Sequence, residues 1–486
     1  LSHVLLAAVV TSVALRVFLL PVVPADFWWA LATGRLIEET GRIPTADVFS
    51  YTFPGAPWFD QPWLSQSLIY GAHVLGGVPL VLLAALAAVT TAFLLLYRLG
   101  VRITGASAAT AAFLLLTLPA SSPAWSVRSR VFALPLFVAF VIVLHGWRTG
   151  RDGGRLWLLP LVMAVWANAH GSFVLGGVLV AVTLAGMGLE RLLARSVGWT
   201  ARGPRMRALV FWGGVTALAV LANPRGVAVF DYVRGVVGNP VVQGLILEWQ
   251  RPSPVTFIGG VFYLYAVGLL AVVWTSRRRP DAVEILTGVV FFGLGLSALR
   301  HTAWFVLATT PTFLASAAET RLGSWITAWP EPSPAAARAL VATFAVLVLA
   351  SSPWVKPSLP WPEAVRPVLD AETPVAAVAA VRADPQAPHR LFHSETYGSY
   401  LMWAAPERRV FIDTRVEVYP ADHWQTYMEL TGGRRASEVL EDWQVDGLLL
   451  DQRRQWRLVG WARERPDWVV RYEDERSVYF VRSPGI

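Results

Sequence analysis

The chain is predicted to be a polytopic α-helical membrane protein that ends in a small α/β domain outside the membrane. Three observations predict it. Of its 486 residues, 55% are hydrophobic and only 15% charged, with a mean hydropathy of +0.49, which is far more apolar than a soluble domain needs for its core. Several apolar runs approach the ~20 residues that cross a ~30 Å hydrocarbon layer as helix. The 23 Trp residues suit membrane–water interfaces, where an apolar ring with one N–H donor is well accommodated.

Other classes fall away. Cysteine is absent, which excludes disulfides, thiol catalysis and zinc–thiolate sites. The formal charge of +8 comes mostly from Arg in short loops between apolar segments, so no nucleic-acid partner is expected. The sequence has no Gly-rich nucleotide loop, no nucleophile elbow and no His pair at helical spacing for zinc.

The first apolar run, residues 4–23, lacks a basic leader region and a small-residue cleavage site. Further spans follow it, so it is expected to be a retained helix and not a signal peptide. The chain opens on Leu1 rather than Met, so an initiator or short leader is expected to precede it.

Basic loops set the topology, because Lys and Arg concentrate on the cytoplasmic side. They are Arg98/Arg102, Arg148/Arg151/Arg155, the stretch 191–207, and Arg277/Arg278/Arg279. About eleven spans satisfy them: 4–23, 78–97, 106–119, 131–146, 157–168, 172–190, 209–222, 255–275, 283–299, 302–316 and 336–350. The N-terminus is then inside and the C-terminus outside. Segments 106–119 and 157–168 are short, as broken or re-entrant helices lining a cavity would be.

Residues 1–350 thus form the membrane core, with outer loops at 24–63, 120–130 and 222–254. Residues 351–384 hold Pro353, Pro357, Pro360, Pro362, Pro367 and Pro374, the composition of a stiff linker. In 385–486 the pattern changes to strands at 390–393, 410–413 and 446–450, helices near 397–403, 424–430 and 437–443, and a closing hairpin, 468–472 with 477–481. Such alternation predicts a small α/β domain.

The first outer loop carries Asp26, Asp47 and Asp60 among many aromatic residues. Asp26 opens an interfacial helix closed by Gly41. It is either an N-cap or a carboxylate beside the membrane surface, placed to act as general base or metal ligand. Asp47 and Asp60 read as turn residues, and the Trp and Phe residues as interfacial anchors.

A second set of charges stands on the wrong side. Arg128, Arg130, Arg225, Arg300 and His301 fall at outer ends of spans, against the positive-inside trend. They either bind a lipid phosphate through bidentate guanidinium forks, or snorkel and pair with an acid such as Glu248. Glu248 alternatively joins Asp26 at a divalent cation, Mg or Mn. Asn168 and His170 mark a helix break, His170 being either a hydrogen-bonded structural residue or a base, and Asp413 with Arg415 is either an ion pair or loop cap or a site of acceptor recognition.

The first-loop pattern Asp-x-Trp-Trp…Gly-x-Ile-Pro-x-x-Asp-x-Phe-Ser-Tyr-Thr…Trp-Leu-x-Gln resembles that of bacterial membrane proteins related to the GT-C glycosyltransferases. Trp166-Ala-Asn-Ala-His170-Gly171, Asn223-Pro-Arg-Gly226, Glu248-Trp249, Arg300-His301 and Tyr397-Gly-Ser-Tyr-Leu…Val410-Phe-Ile-Asp413-x-Arg415 extend the resemblance along nearly the whole chain. It implies a GT-C-like core, a location in the bacterial cytoplasmic membrane, and a polyprenyl-phosphate-linked sugar donor. It implies transfer at the extracytoplasmic face to a glycan, lipid or protein acceptor, with Asp26 as the catalytic or metal-binding carboxylate. Two departures stand out: Phe27 follows Asp26 where some relatives have a second acid, and Arg128-Ser-Arg130 replaces a frequent Arg-Pro. A non-catalytic relative that carries or assembles lipid-linked glycans is the alternative. A transporter is disfavoured, because no inverted repeat is visible.

Overall fold

The computed structural model describes residues 1–150, 155–197, 206–238, 244 and 246–483. Arg151 and residues 198–205 of the basic stretch lie outside them. Each of the eleven apolar segments coincides with a helix. In chain order the helices are α1 (Ser2–Leu19), α2 (Pro24–Thr40), α3 (Trp63–Thr104), α4 (Ser107–Ser121), α5 (Ala133–Arg148), α6 (Leu158–Ala169), α7 (Val174–Val197), α8 (Met206–Ala219), α9 (Val229–Gly238), α10 (Phe257–Thr275), α11 (Ala282–Ser297), α12 (Thr302–Ala318), α13 (Arg321–Thr327) and α14 (Pro334–Ser351). The C-terminal part adds α15 (Val375–Ala383), β1 (Leu391–His393), α16 (Glu395–Ala404), α17 (Ala421–Thr431), α18 (Ala436–Asp442), β2 (Gly447–Asp451), α19 (Trp456–Arg463), β3 (Trp468–Glu473) and β4 (Ser477–Arg482).

The chain divides into two compact units. One comprises Leu1–Leu20, Gly76–Asp231 and Ile246–Arg366; the other comprises Pro21–Leu75, Tyr232–Leu245 and Pro367–Ile486. The division cuts α3 where its helical geometry fails, at Gly76 and Gly77. Gly77 has φ +65°, a conformation that side-chain-bearing residues rarely adopt, and Pro79 then removes a backbone donor. Residues 63–75, between the first loop and the second apolar segment, are therefore a helix of their own.

Among the described residues, seven helices are long and apolar enough to cross a membrane, while Arg155–Ala169, Met206–Ala219 and Ala282–Ser297 are apolar but shorter. The protein is a multi-pass membrane protein. The 106–119 segment, which looked short, gains length from the turn after it: Ser107–Trp125 runs 19 residues. In the helical unit, α12 is the innermost element, with every residue from Thr302 to Ala317 buried. It packs on α4, α10 and α11, as a helix apolar on all sides must. At the other extreme only 6% of the best window of α14 is buried, the state of a helix whose apolar surface is solvated by lipid tails. Its C-terminal flank returns to α1 through Lys356, whose buried Nζ donates to the Phe18 carbonyl at 2.5 Å. That satisfies one of the carbonyls left open at a helix end.

The second unit joins the first loop to the C-terminal α/β fold. Its sheet has the order β1-β2-β4-β3, with β1 and β2 parallel and the other two pairs antiparallel. The 410–413 segment, expected as a strand, is not in this sheet. It pairs with the first loop through Tyr51 N–H to the Val410 carbonyl at 3.0 Å and Val410 N–H to the Phe49 carbonyl at 2.9 Å. It runs beside α16, where a Cβ on Gly398 would lie 1.9 Å from the Ile412 carbonyl oxygen. Within the stretch read as a linker, residues 375–383 form α15, whose Ala377, Val378 and Val381 are fully buried.

Helix α2 begins at Pro24 and ends on Gly41, which is left-handed at φ 64° and donates its N–H to the Ile37 carbonyl. This is the C-terminal stop expected from sequence. Helix α2 packs on α16: Trp28 meets Tyr400 edge-on at 4.8 Å, and Arg35 donates to the Met402 and Trp403 carbonyls.

Candidate functional site

In the helical unit, four short irregular stretches come together: the 3-10 turn Ser129–Phe132, the break between α6 and α7, the turn Leu247–Trp249 and the turn Leu299–His301. The last two are tied by Leu299 N–H to the Gln250 carbonyl at 2.9 Å. Glu248 sits at the centre. Arg128 donates from Nη2 to its Oε1, and Arg130 reaches Oε2 from Nη1 at 3.4 Å. Arg128 is held by Ser126 at 3.0 Å, and the buried Arg130 donates to the Pro123 carbonyl at 3.0 Å. Arg300 lies with its guanidinium 4.5 Å over the Trp249 ring.

Burial pushes the Glu248 carboxyl up, but Arg130, Arg128 and Arg300 outweigh it and hold it down at about 2. Three arginines thus act on one carboxylate. Burial and the neighbouring arginines depress both histidines here, His170 well below its ordinary value and His301 to about 4. Both are neutral at physiological pH. His301 therefore contributes hydrogen bonding and not charge to any anion bound here. His170 Nδ1 accepts the Ser172 N–H at 3.0 Å, an assignment that leaves its proton on Nε2. Asn168 ties the break to the turn after α8 through the Ala222 carbonyl at 2.7 Å.

Arg225 lies in a separate turn, where its N–H donates to Asn223 Oδ1 at 2.8 Å. The metal expectation for Glu248 does not fit this setting. Two guanidinium groups face its carboxylate and repel a cation, and among the described residues no three His, Asp or Glu side chains gather as a metal site.

In the other unit, Asp26 stands half-buried in the first turn of α2. Val23 is the N-cap, so Asp26 is not, contrary to one of its two expected roles. It accepts from Trp29 Nε1 at 3.4 Å. Asp47 is a turn residue as expected, accepting the Ser50 N–H at 2.9 Å, but it also meets Arg415 Nη2 at 2.7 Å. Arg415 is fully buried and pairs with both oxygens of Asp413, at 2.9 and 2.7 Å. Tyr419 donates to Asp413 at 2.6 Å, and the guanidinium covers the Trp58 ring at 4.5 Å. This closed network is a structural tie between first loop and tail. Asp60 accepts from Gln66 Nε2 at 2.7 Å.

No protein-family model and no curated protein sequence matches the chain. Solved structures do. The oligosaccharyltransferase of Archaeoglobus fulgidus in its apo form superposes with a TM-score of 0.55 at 12% identity, over 92% of this chain and 69% of that one. The chain has a GT-C fold. Oligosaccharyltransferase AglB from the same organism, in complex with an inhibitory peptide and a dolichol-phosphate, gives 0.56 at 10% identity over 99% and 74%. ArnT from Cupriavidus metallidurans bound to undecaprenyl phosphate gives 0.52 at 14% identity over 98% and 97%. The likeness thus covers both membrane helices and tail, as the GT-C resemblance read from the motifs implied.

Proposed function

We propose that the protein is a membrane glycosyltransferase that moves a sugar from a polyprenyl-phosphate-linked donor to an acceptor at the extracytoplasmic face of a bacterial cytoplasmic membrane. The observation that carries this is the gathering of Arg128, Arg130 and Arg300 around Glu248, in a fold shared with proteins solved holding dolichol-phosphate and undecaprenyl phosphate. Guanidinium groups match phosphate oxygens in shape and charge. Glu248 holds two of them in place before an anion arrives, so little reorganisation is needed when it binds.

In the reaction, an acceptor hydroxyl attacks the anomeric carbon and the bond from that carbon to the phosphate oxygen breaks. Asp26 takes the hydroxyl proton, and the arginines stabilise the departing polyprenyl phosphate. His301 and His170 add neutral hydrogen-bonding groups.

The test is sugar transfer from a radiolabelled polyprenyl-phosphate-linked donor in membranes holding the protein. Asp26→Asn is expected to abolish transfer and leave donor binding intact. Arg128→Ala and Arg130→Ala are expected to weaken donor binding. Undiminished transfer by Asp26→Asn removes the catalytic role. Donor binding without transfer by the unmodified protein supports the carrier alternative.

A further inference from the structure

Helix α19 buries one face and presents the other to solvent. Leu458, Val459 and Ala462 pack inward. Outward, Trp456, Arg457, Gly460, Trp461 and Glu464 line an open slot of about 310 Å³. Their spacing puts Trp456, Gly460 and Glu464 in one row along the helix and Arg457 and Trp461 in the next.

Gly460 is the floor. A glycine inside a helix costs roughly 1 kcal/mol relative to Ala, and nothing in the fold calls for one here. Its φ is not left-handed, and a Cβ at this position would meet no atom within 4 Å. What the missing side chain does is keep the slot open. The walls are indoles. Trp456 is 61% exposed, a large apolar ring left in water. Trp461 is held from behind: the Arg465 guanidinium covers its ring at 4.1 Å and donates to its carbonyl at 3.0 Å, while Trp468 abuts it at 6.2 Å. The Arg457 guanidinium lies over one face of the Trp456 ring, 4.9 Å from its centre, and Glu464 closes the rim.

We propose that this slot binds one pyranose residue of a glycan. The C–H face of a pyranose packs on an indole, and its hydroxyls both donate and accept. Arg457 supplies donors and Glu464 acceptors, the few placed polar groups that orient a ligand in a mostly apolar pocket. A bilayer surface fits less well, because the site is concave and Glu464 would face anionic headgroups.

Saturation-transfer NMR on the full-length protein in nanodiscs, with maltose, cellobiose and the disaccharide of N-acetylglucosamine as probes, tests this. At least one is expected to bind with millimolar affinity. Gly460→Leu, which fills the slot and favours the helix, is expected to weaken binding at least about tenfold with unchanged thermal unfolding, and Trp456→Ala likewise. Absence of binding by all three sugars overturns the proposal, as does wild-type binding by Gly460→Leu. Loss of association with phosphatidylglycerol vesicles in Trp456→Ala, without any sugar binding, assigns the face to the membrane instead. No lipid-linked donor is present in this experiment, so its outcome stands apart from that of the transfer assay.

Discussion

Glu248 shows how a single carboxylate can be recognised in sequence with more than one role left open. It stood out as an acid near a span entrance, beside cations on the unexpected side. Its partners lie 120 and 118 residues away in the chain, so it was the shared outer position of these charges, and no local spacing, that suggested the pairing. In the fold it anchors an arginine cluster. Its pKa is lowered from 4.5 to about 2, so its contribution to stability is complete above pH 4.5 and lost as pH falls through about 2. Glu248→Gln keeps the shape but leaves Arg128 and Arg130 facing each other. Exposed pairs are worth about 0–1 kcal/mol and broken buried ones about 3–5. The side chain of Glu248 is 28% exposed, so a loss of about 2 kcal/mol is expected in detergent-solubilised thermal unfolding. Added pyrophosphate is expected to restore the variant more than it stabilises the wild type, since an anion bound only to the folded state replaces the missing charge. Histidines set a second dependence. His301, His393 and His423 are lowered from 6.5 to about 4, chiefly by burial. Between pH 6.5 and 4 the unfolded chain binds more protons than the folded one, so stability falls with pH across that window. A melting temperature that is flat from pH 7 to 4.5 contradicts it.

At the scale of elements, legibility followed the strength of the local signal. The apolar helices were readable because crossing a bilayer, or lying inside a bundle that does, demands apolar composition along a whole helix. Helix α2 was readable from Gly41, and the hairpin of β3 and β4 from its two short runs, 468–472 and 477–481. The 410–413 segment was not, because Val410-Phe411-Ile412 is as apolar as a buried strand and composition alone does not name the partner. It is buried by the first loop, with Thr52 Oγ1 donating to the Phe411 carbonyl at 2.7 Å, and by α16. Gly398 makes that second approach possible. Gly398→Ala places a methyl against the Ile412 carbonyl, where backbone cannot easily yield. Overpacking of this kind typically costs about 1–3 kcal/mol. The expected result is a lower melting temperature and earlier proteolysis in the tail; an unchanged melting curve refutes the close contact.

For the whole molecule, the first loop and the tail fold as one unit although more than 300 residues separate them. Val22 pairs with Leu369, Ser50 with Val410, and Asp47 meets Arg415. The sequence placed both on the same side of the membrane through its basic loops alone, an argument about charge that says nothing of contact. Co-folding supplies an independent constraint: whichever side holds Thr40 must hold Ser437. The absence of cysteine makes this directly measurable, because any introduced thiol is the single one in the chain. Thr40, Ser437 and Thr149 are all exposed. With a membrane-impermeant maleimide on intact cells, Thr40→Cys and Ser437→Cys are expected to label together. Thr149→Cys, beside Arg148 and Arg151 in a basic loop, is expected to label only after lysis. Labelling of Thr149→Cys alone on intact cells would reverse the orientation and place transfer on the opposite face. Labelling of Thr40→Cys without Ser437→Cys would break the unit itself, since the two positions then lie on opposite sides of a bilayer that their hydrogen bonds cannot cross.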